Sequence, residues 1–126
     1  MRVEDFRELT VYRKAFELQQ RVFEVSSRFP KSETYSLTDQ IRRSSRSIGA
    51  NIAEAWKKRP YPAHFRSKLT DAGAEVAETR HWLYTAHACG YLNDQALDEL
   101  ASLVREVGRM LGAMIRDADR WCSPKN

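Results

Sequence analysis

The chain has 126 residues, 42% hydrophobic and 30% charged, with five glycines, four prolines and a formal net charge of +4. That composition excludes a disordered segment and a disulfide scaffold, and no run approaches the roughly 18 consecutive apolar residues of a membrane span. The length suits one domain, residues 1–126, able to bury about two-thirds of its unfolded surface.

The start, MRVEDFRELT, carries acids and no apolar run, so it does not read as a secretory signal, and a cytoplasmic location is expected. The first helix is expected over about 8–28. On it Leu9, Tyr12, Phe16 and Phe23 line one face, while Val11, Leu18, Val22 and Val25 line a second, nearly opposite one. Together they span an arc of about 200°, twice the stripe of a helix packed on one side only. The surplus predicts a subunit interface, assigned to Val11, Leu18, Val22 and Val25. Phe29-Pro30 ends the helix, because proline disfavours the α conformation in the residue before it.

The second helix is expected over about 36–59, started by Ser36 or Thr38 as caps and broken by Pro60-Tyr61-Pro62. At about 100° per residue, Leu37, Ile41, Ile48, Ile52 and Ala55 form a buried stripe, with Arg42, Arg43, Arg46 and Lys57 on the opposite side. Between them runs an edge of Gln40, Ser44, Ser47 and Asn51 that ends at Glu54; Ser47, Asn51 and Glu54 are expected to join the subunit interface. Residues 36–68 hold eight Lys or Arg against two acids, which concentrates positive charge as a polyanion partner requires. A solvated face neutralised by acids of neighbouring helices is the alternative.

A third helix is expected over about 63–89, with Phe65, Leu69, Ala72, Val76 and Leu83 inward and Asp71, Glu75 and Glu78 as an acidic flank. Gly90 is placed to cap its end. A fourth, over about 94–121, is capped by Asn93 or Asp94 and buries Leu97, Leu100, Val104, Leu111 and Ile115. Four such helices joined by short breaks predict an all-α, antiparallel up-down-up-down four-helix bundle. Gly49, Gly73, Gly108 and Gly112 inside helices suggest tight helix approach.

Chemistry is sparse. Cys89 and Cys122 are the only cysteines and are expected to stay reduced, about 30 residues of helical hairpin holding them beyond disulfide reach. Glu78-x-x-His81 has the spacing of a di-iron ligand pair, but such sites need a second pair and two further glutamates, so no metal or cofactor is expected. Ser44, Ser45 and Ser47 lack an identifiable base. Asn51 and Glu54 read better as a hydrogen-bonded pair fixing a neighbouring helix or subunit than as a catalytic pair. The protein is therefore expected not to be an enzyme. Trp56 and Tyr61 beside the cations are consistent with nucleic-acid binding, arginines taking phosphates and aromatics stacking on bases.

With these residues in view, the chain resembles the small four-helix-bundle family encoded in intervening sequences of bacterial large-subunit (23S) rRNA genes. The resemblance runs from Phe6 to about Trp121: the opening FRELTVYRKA, then Leu37 with Gln40-Ile41-Arg42-Arg43, then Ser47-Ile48 and Asn51-Ile52-Ala53-Glu54, and finally Glu75 and Gly90-Tyr91-Leu92. The chain departs from the pattern after Glu54, where Ala55 and Trp56 stand in place of the family's usual glycine. The resemblance implies a homopentamer, in which five copies of a +4 chain would sum to +20. It also implies kinship with the accessory variability determinant proteins of diversity-generating retroelements, which bind nucleic acid and a reverse transcriptase. The expected function is a non-enzymatic oligomeric scaffold contacting RNA or DNA phosphates through Arg42, Arg43, Arg46, Lys57, Lys58 and Arg59, without sequence readout. The alternative is a protein-interaction adaptor, for example a reverse-transcriptase accessory protein.

Overall fold

The computed structural model describes residues 2–122; the tail Ser123 to Asn126, expected to fray, lies outside them. Four long helices carry the fold: α1 (Thr10–Ser26), α2 (Asp39–Lys57), α3 (Pro62–Ala88) and α4 (Asp94–Arg116), followed by the short α5 (Ala118–Cys122). α1 packs on α2 and α4, α3 packs on the same two, and α1 and α3 face each other across the diagonal. This is the antiparallel bundle that the short connections require. Among the described residues no helix is long and apolar enough to cross a membrane.

The inward stripes of α2 and α3 are those expected. Leu37, Ile41, Ile48, Ile52 and Ala55 are buried, as are Phe65, Leu69, Ala72, Val76 and Leu83. On α4 Leu97, Leu100, Val104 and Leu111 are buried and Ile115 packs part-buried against them.

On α1 the expected assignment is corrected. Val11, Leu18 and Val22 are buried within the subunit, and Val25 is half-buried against the same core. They share an arc with Ala15 and Ser26, both also buried, and that arc is the inward one. The outward apolar surface is aromatic, with Phe16 and Phe23 each 45% exposed. Tyr12 lies between the two environments, stacked at 6.1 Å on Phe16 and edge-on at 4.9 Å to Phe6.

Helix ends differ in detail from expectation. Thr38 holds the N-cap position of α2 but its side chain makes no capping bond, and Ser36 lies in the turn before it. That wide π turn, Thr34–Thr38, leads into α2, held by Glu33, whose carboxylate accepts from the Ser36 hydroxyl at 2.6 Å and from the Tyr91 hydroxyl at 2.9 Å. These bonds, Ser36 first and Tyr91 second, hold the Glu33 carboxyl below its usual range. Asn93 caps α4, its Oδ1 accepting from the Ala96 amide at 2.8 Å. Gly90 adopts φ +82° after α3, and the amides of Gly90 and Tyr91 donate back to the His87 and Ala86 carbonyls, the paired C-terminal closure that a left-handed residue permits.

α2 and α3 share the most extensive seam. Buried Thr79 donates to the Ser44 hydroxyl across it at 2.9 Å, and Ser44 in turn donates to the Ile41 carbonyl, so both hydroxyls are satisfied inside the bundle. Of the helix glycines, Gly49 meets the Tyr12 ring and Gly108 meets Val76. A Cβ at Gly73 or Gly112 would have nothing within 4 Å, so those two do not mark tight approach inside the subunit. Cys89 is exposed and Cys122 buried, both free, and burial raises the Cys122 thiol pKa.

Candidate nucleic-acid interface

The six cations expected to contact phosphate fall into two groups. Arg42, Arg46 and Arg59 lie over aromatic rings. Arg42 sits 4.5 Å above Phe23 and Arg46 5.6 Å from the same ring. Arg42 also donates through Nε to the Ser26 hydroxyl at 2.8 Å. Arg59 lies 3.5 Å over Trp56 and donates to the Trp56 carbonyl at 3.0 Å. Arg42 and Arg46 reach sideways to α1, where their guanidinium groups lie over Phe23, Arg42 half-buried and Arg46 still exposed. Cation–π contacts at exposed sites contribute about 0.5–1 kcal/mol each.

Arg43, Lys57 and Lys58 make up the second group. Arg43 is exposed and pairs loosely with Asp39 at 3.7 Å, one turn earlier on α2. Lys57 and Lys58 are exposed, and among the described residues neither has a carboxylate within salt-bridge distance. The two candidates without an acidic partner, Lys57 and Lys58, therefore stand together at the C-terminal end of α2, and the loosely paired Arg43 lies nearer its start.

The polar edge of α2 is engaged within the subunit. Asn51 donates to the Ser47 carbonyl at 2.9 Å, and Glu54 accepts from Lys68 Nζ at 2.7 Å. Asn51 and Glu54 thus bond different partners, and it is Glu54 that ties α2 to α3. Trp56 is buried, edge-on to Trp121 at 6.0 Å, and is shut off from a base. Ala55 is fully buried and α2 runs on through Lys57. Glu78 accepts from Trp82 Nε1 at 3.1 Å, while His81 packs edge-on against the Trp82 ring. Among the described residues no three His, Cys, Asp or Glu side chains cluster as a metal site would require.

The acidic flank of α3 lies within electrostatic reach of two cations, Arg43 for Glu75 and Lys68 for Asp71. Burial, then the carboxylates of Glu78 and Asp71, push Glu75 above the usual carboxylate range, against a smaller opposing pull from Arg43. A raised folded-state pKa costs stability once the group ionises. That cost is absent below the ordinary carboxylate value, grows as pH rises toward the raised one, and is complete at neutrality. Glu75→Gln should accordingly raise the melting temperature slightly at pH 7 and leave it unchanged near pH 4; a thermal melt at the two pH values checks the difference.

Sequence reasoning named Lys58 and Tyr61 but missed the cleft at the corner between α2 and α3. There Lys58, Ala63, His64, Ser67 and Lys68 line an open cleft of about 370 Å³. Tyr61 stands beside it, 62% exposed, with its ring 5.8 Å from that of His64. Residues 54–68 hold five Lys or Arg and one Glu, a net +4 that equals the formal charge of the whole chain. The rest of the molecule sums to zero, although one of the five cations, Arg66, is paired with Asp119 of α5 at 3.1 Å.

Residues 7–113 match the sequence profile of the family described as 23S rRNA-intervening sequence protein. The fold is similar to the crystal structure of a protein of unknown function from the S23 ribosomal protein family of Bacteroides thetaiotaomicron. The TM-score is 0.77 at 28% identity, over 84% of this chain and 98% of that one. Comparison with curated proteins gives no match. The opening and signature segments of α1 and α2, the antiparallel bundle and the profile match agree, and the chain belongs to the 23S rRNA-intervening sequence protein family.

Proposed function

We propose that this protein is a non-enzymatic homo-oligomeric scaffold that binds nucleic acid by its charge, without sequence readout. The observation that carries the binding is the net +4 of residues 54–68, of whose cations, among the described residues, Arg66 alone pairs with an acid from outside the segment, Asp119. Charge so placed favours phosphate contacts, and repeating the corner in an oligomer lets weak contacts add through effective concentration.

The exposed aromatic stripe of α1 supports the assembly. Its occupant is a second copy, which offers the opposite diagonal of the bundle: the exposed Ala74 and Ala77 of α3, flanked by Asp71, Glu75 and Glu78. Phe16 and Phe23 would fill the relief left by the alanines, and Arg42 and Arg46 would meet the acids. Pairing unlike faces is head-to-tail and closes into a ring when the rotation allows, in keeping with the five copies that the family resemblance implies.

Binding is tested by titrating labelled RNA and following the slope of log affinity against log salt. Each lysine in contact with phosphate contributes about 0.7–0.9 to that slope. Lys57→Glu with Lys58→Glu should weaken binding and flatten the slope. Binding that ignores salt, or that survives both changes, would overturn the reading.

A second reading is a protein-interaction adaptor, for instance for a reverse transcriptase. It is favoured by Arg42 and Arg46 lying on Phe23, a cationic and aromatic surface suited to a protein partner. A partner that stays bound after nuclease treatment would support it.

A further inference from the structure

We infer that the α2–α3 corner seats one unpaired nucleotide of single-stranded nucleic acid, with Tyr61 stacking on its base and the cleft of Lys58, His64, Ser67 and Lys68 taking a phosphate. The inference rests on the nucleic-acid reading above and adds to it which strand state is recognised, and where.

Three features of the corner point the same way. Tyr61 is the one aromatic of this basic segment that faces solvent, since Trp56 is buried beneath Arg59 and Phe65 lies in the core. Its backbone is stiff. Pro60 and Pro62 fix the flanking φ angles, and the Tyr61 amide donates to the Lys58 carbonyl at 2.8 Å. A ring presented at little further entropic cost is what base stacking rewards, and every base offers a π face, so the contact tolerates any sequence.

The cleft supplies the second half of such a site. It is lined by two lysines, a histidine and a serine hydroxyl, donors suited to phosphate oxygens. Lys58 has no carboxylate partner among the described residues. Lys68 does have one, Glu54 at 2.7 Å, whose hydrogen bond chiefly keeps the ammonium protonated. Glu54 therefore competes with an incoming phosphate for Lys68. A duplex would present phosphates to the cleft but keep its bases paired and stacked, out of reach of Tyr61.

The test uses the full-length protein and two labelled probes of equal length, a single-stranded oligouridine and an RNA duplex, read by fluorescence anisotropy at low and moderate salt. Tyr61→Ala should weaken single-strand binding by about tenfold, the contribution of one stacked base, and leave duplex binding unchanged. Tyr61→Phe should keep wild-type affinity for both. Glu54→Gln should tighten binding of both probes by releasing Lys68, a gain that a merely structural role for Glu54 does not predict. If Tyr61→Ala binds the single strand as tightly as wild type while Lys58→Glu still weakens both probes, the nucleotide seat is wrong and the general polyanion reading stands. If Tyr61→Ala weakens both probes equally, the strand preference is wrong. If the unaltered protein binds neither probe at low salt, both readings fall.

Discussion

Phe65→Ala is expected to lower the unfolding free energy by about 3–5 kcal/mol, the usual cost of emptying an aromatic site in a packed core. Phe65 is fully buried and stands first by size among the side chains that are. It sits one turn into α3, with its amide bonded to the Tyr61 carbonyl. The lost volume lies directly beneath the basic corner. Domains of this size have about 5–15 kcal/mol of stability, so the variant should unfold at a much lower urea concentration. A denaturation curve at fixed protein concentration reads the shift, and a change below about 1 kcal/mol would mean that the site collapses or that Phe65 is not packed as described. RNA affinity should fall along with stability, because the start of α3 would lose the anchor that holds Ser67 and Lys68 against Lys58.

Phe16→Ser combined with Phe23→Ser is expected to do the reverse, breaking the assembly while sparing the fold. Both rings are 45% exposed in the isolated subunit, so removing them takes little from its core. In an assembly the same rings would be covered; fully burying such a side chain contributes about 1.5–3 kcal/mol, so covering the exposed half contributes about 0.7–1.5 kcal/mol. Lost once per ring at each interface, that is enough to shift an oligomer of ordinary affinity to monomers at micromolar concentration. The variant should elute as a monomer, keep its helical circular dichroism, and bind RNA with the weaker affinity of a single corner. Retained assembly would place the subunit contacts elsewhere.

The four helices were legible because their boundaries are chemical. Pro30, the pair Pro60 and Pro62, and Gly90 interrupt the chain where the helix cannot continue, and the Ile and Leu stripes of α2 to α4 have a clear helical period. α1 misled for a physical reason: its inward arc contains Ala15 and Ser26, small residues with little hydropathy, while its outward arc contains Phe16 and Phe23. Hydropathy alone marks both arcs as core. Which of them faces in depends on how α2 and α4 close over the helix, a tertiary fact.

The charge of the candidate site was legible and its shape was not. Arg42 and Arg46 project from the side of α2 opposite its buried stripe, yet their long stems carry the guanidinium groups to Phe23, far away in sequence. Lys58 and Lys68 come to one cleft only because the chain reverses at Pro60-Tyr61-Pro62. A helical projection drawn for each helix separately contains neither contact. Tyr61 beside three consecutive cations was legible as a stacking candidate, whereas nothing in the sequence placed His64, Ser67 and Lys68 beside Lys58.

Sedimentation velocity on the unaltered protein at micromolar concentration tests most directly whether the aromatic stripe of α1 gathers copies and arrays their basic corners. The expected result is one species whose mass is a whole multiple of 14.6 kDa, with five copies the number that the family resemblance implies. A stable, folded species of 14.6 kDa alone would contradict it and leave Phe16 and Phe23 without the occupant proposed for them.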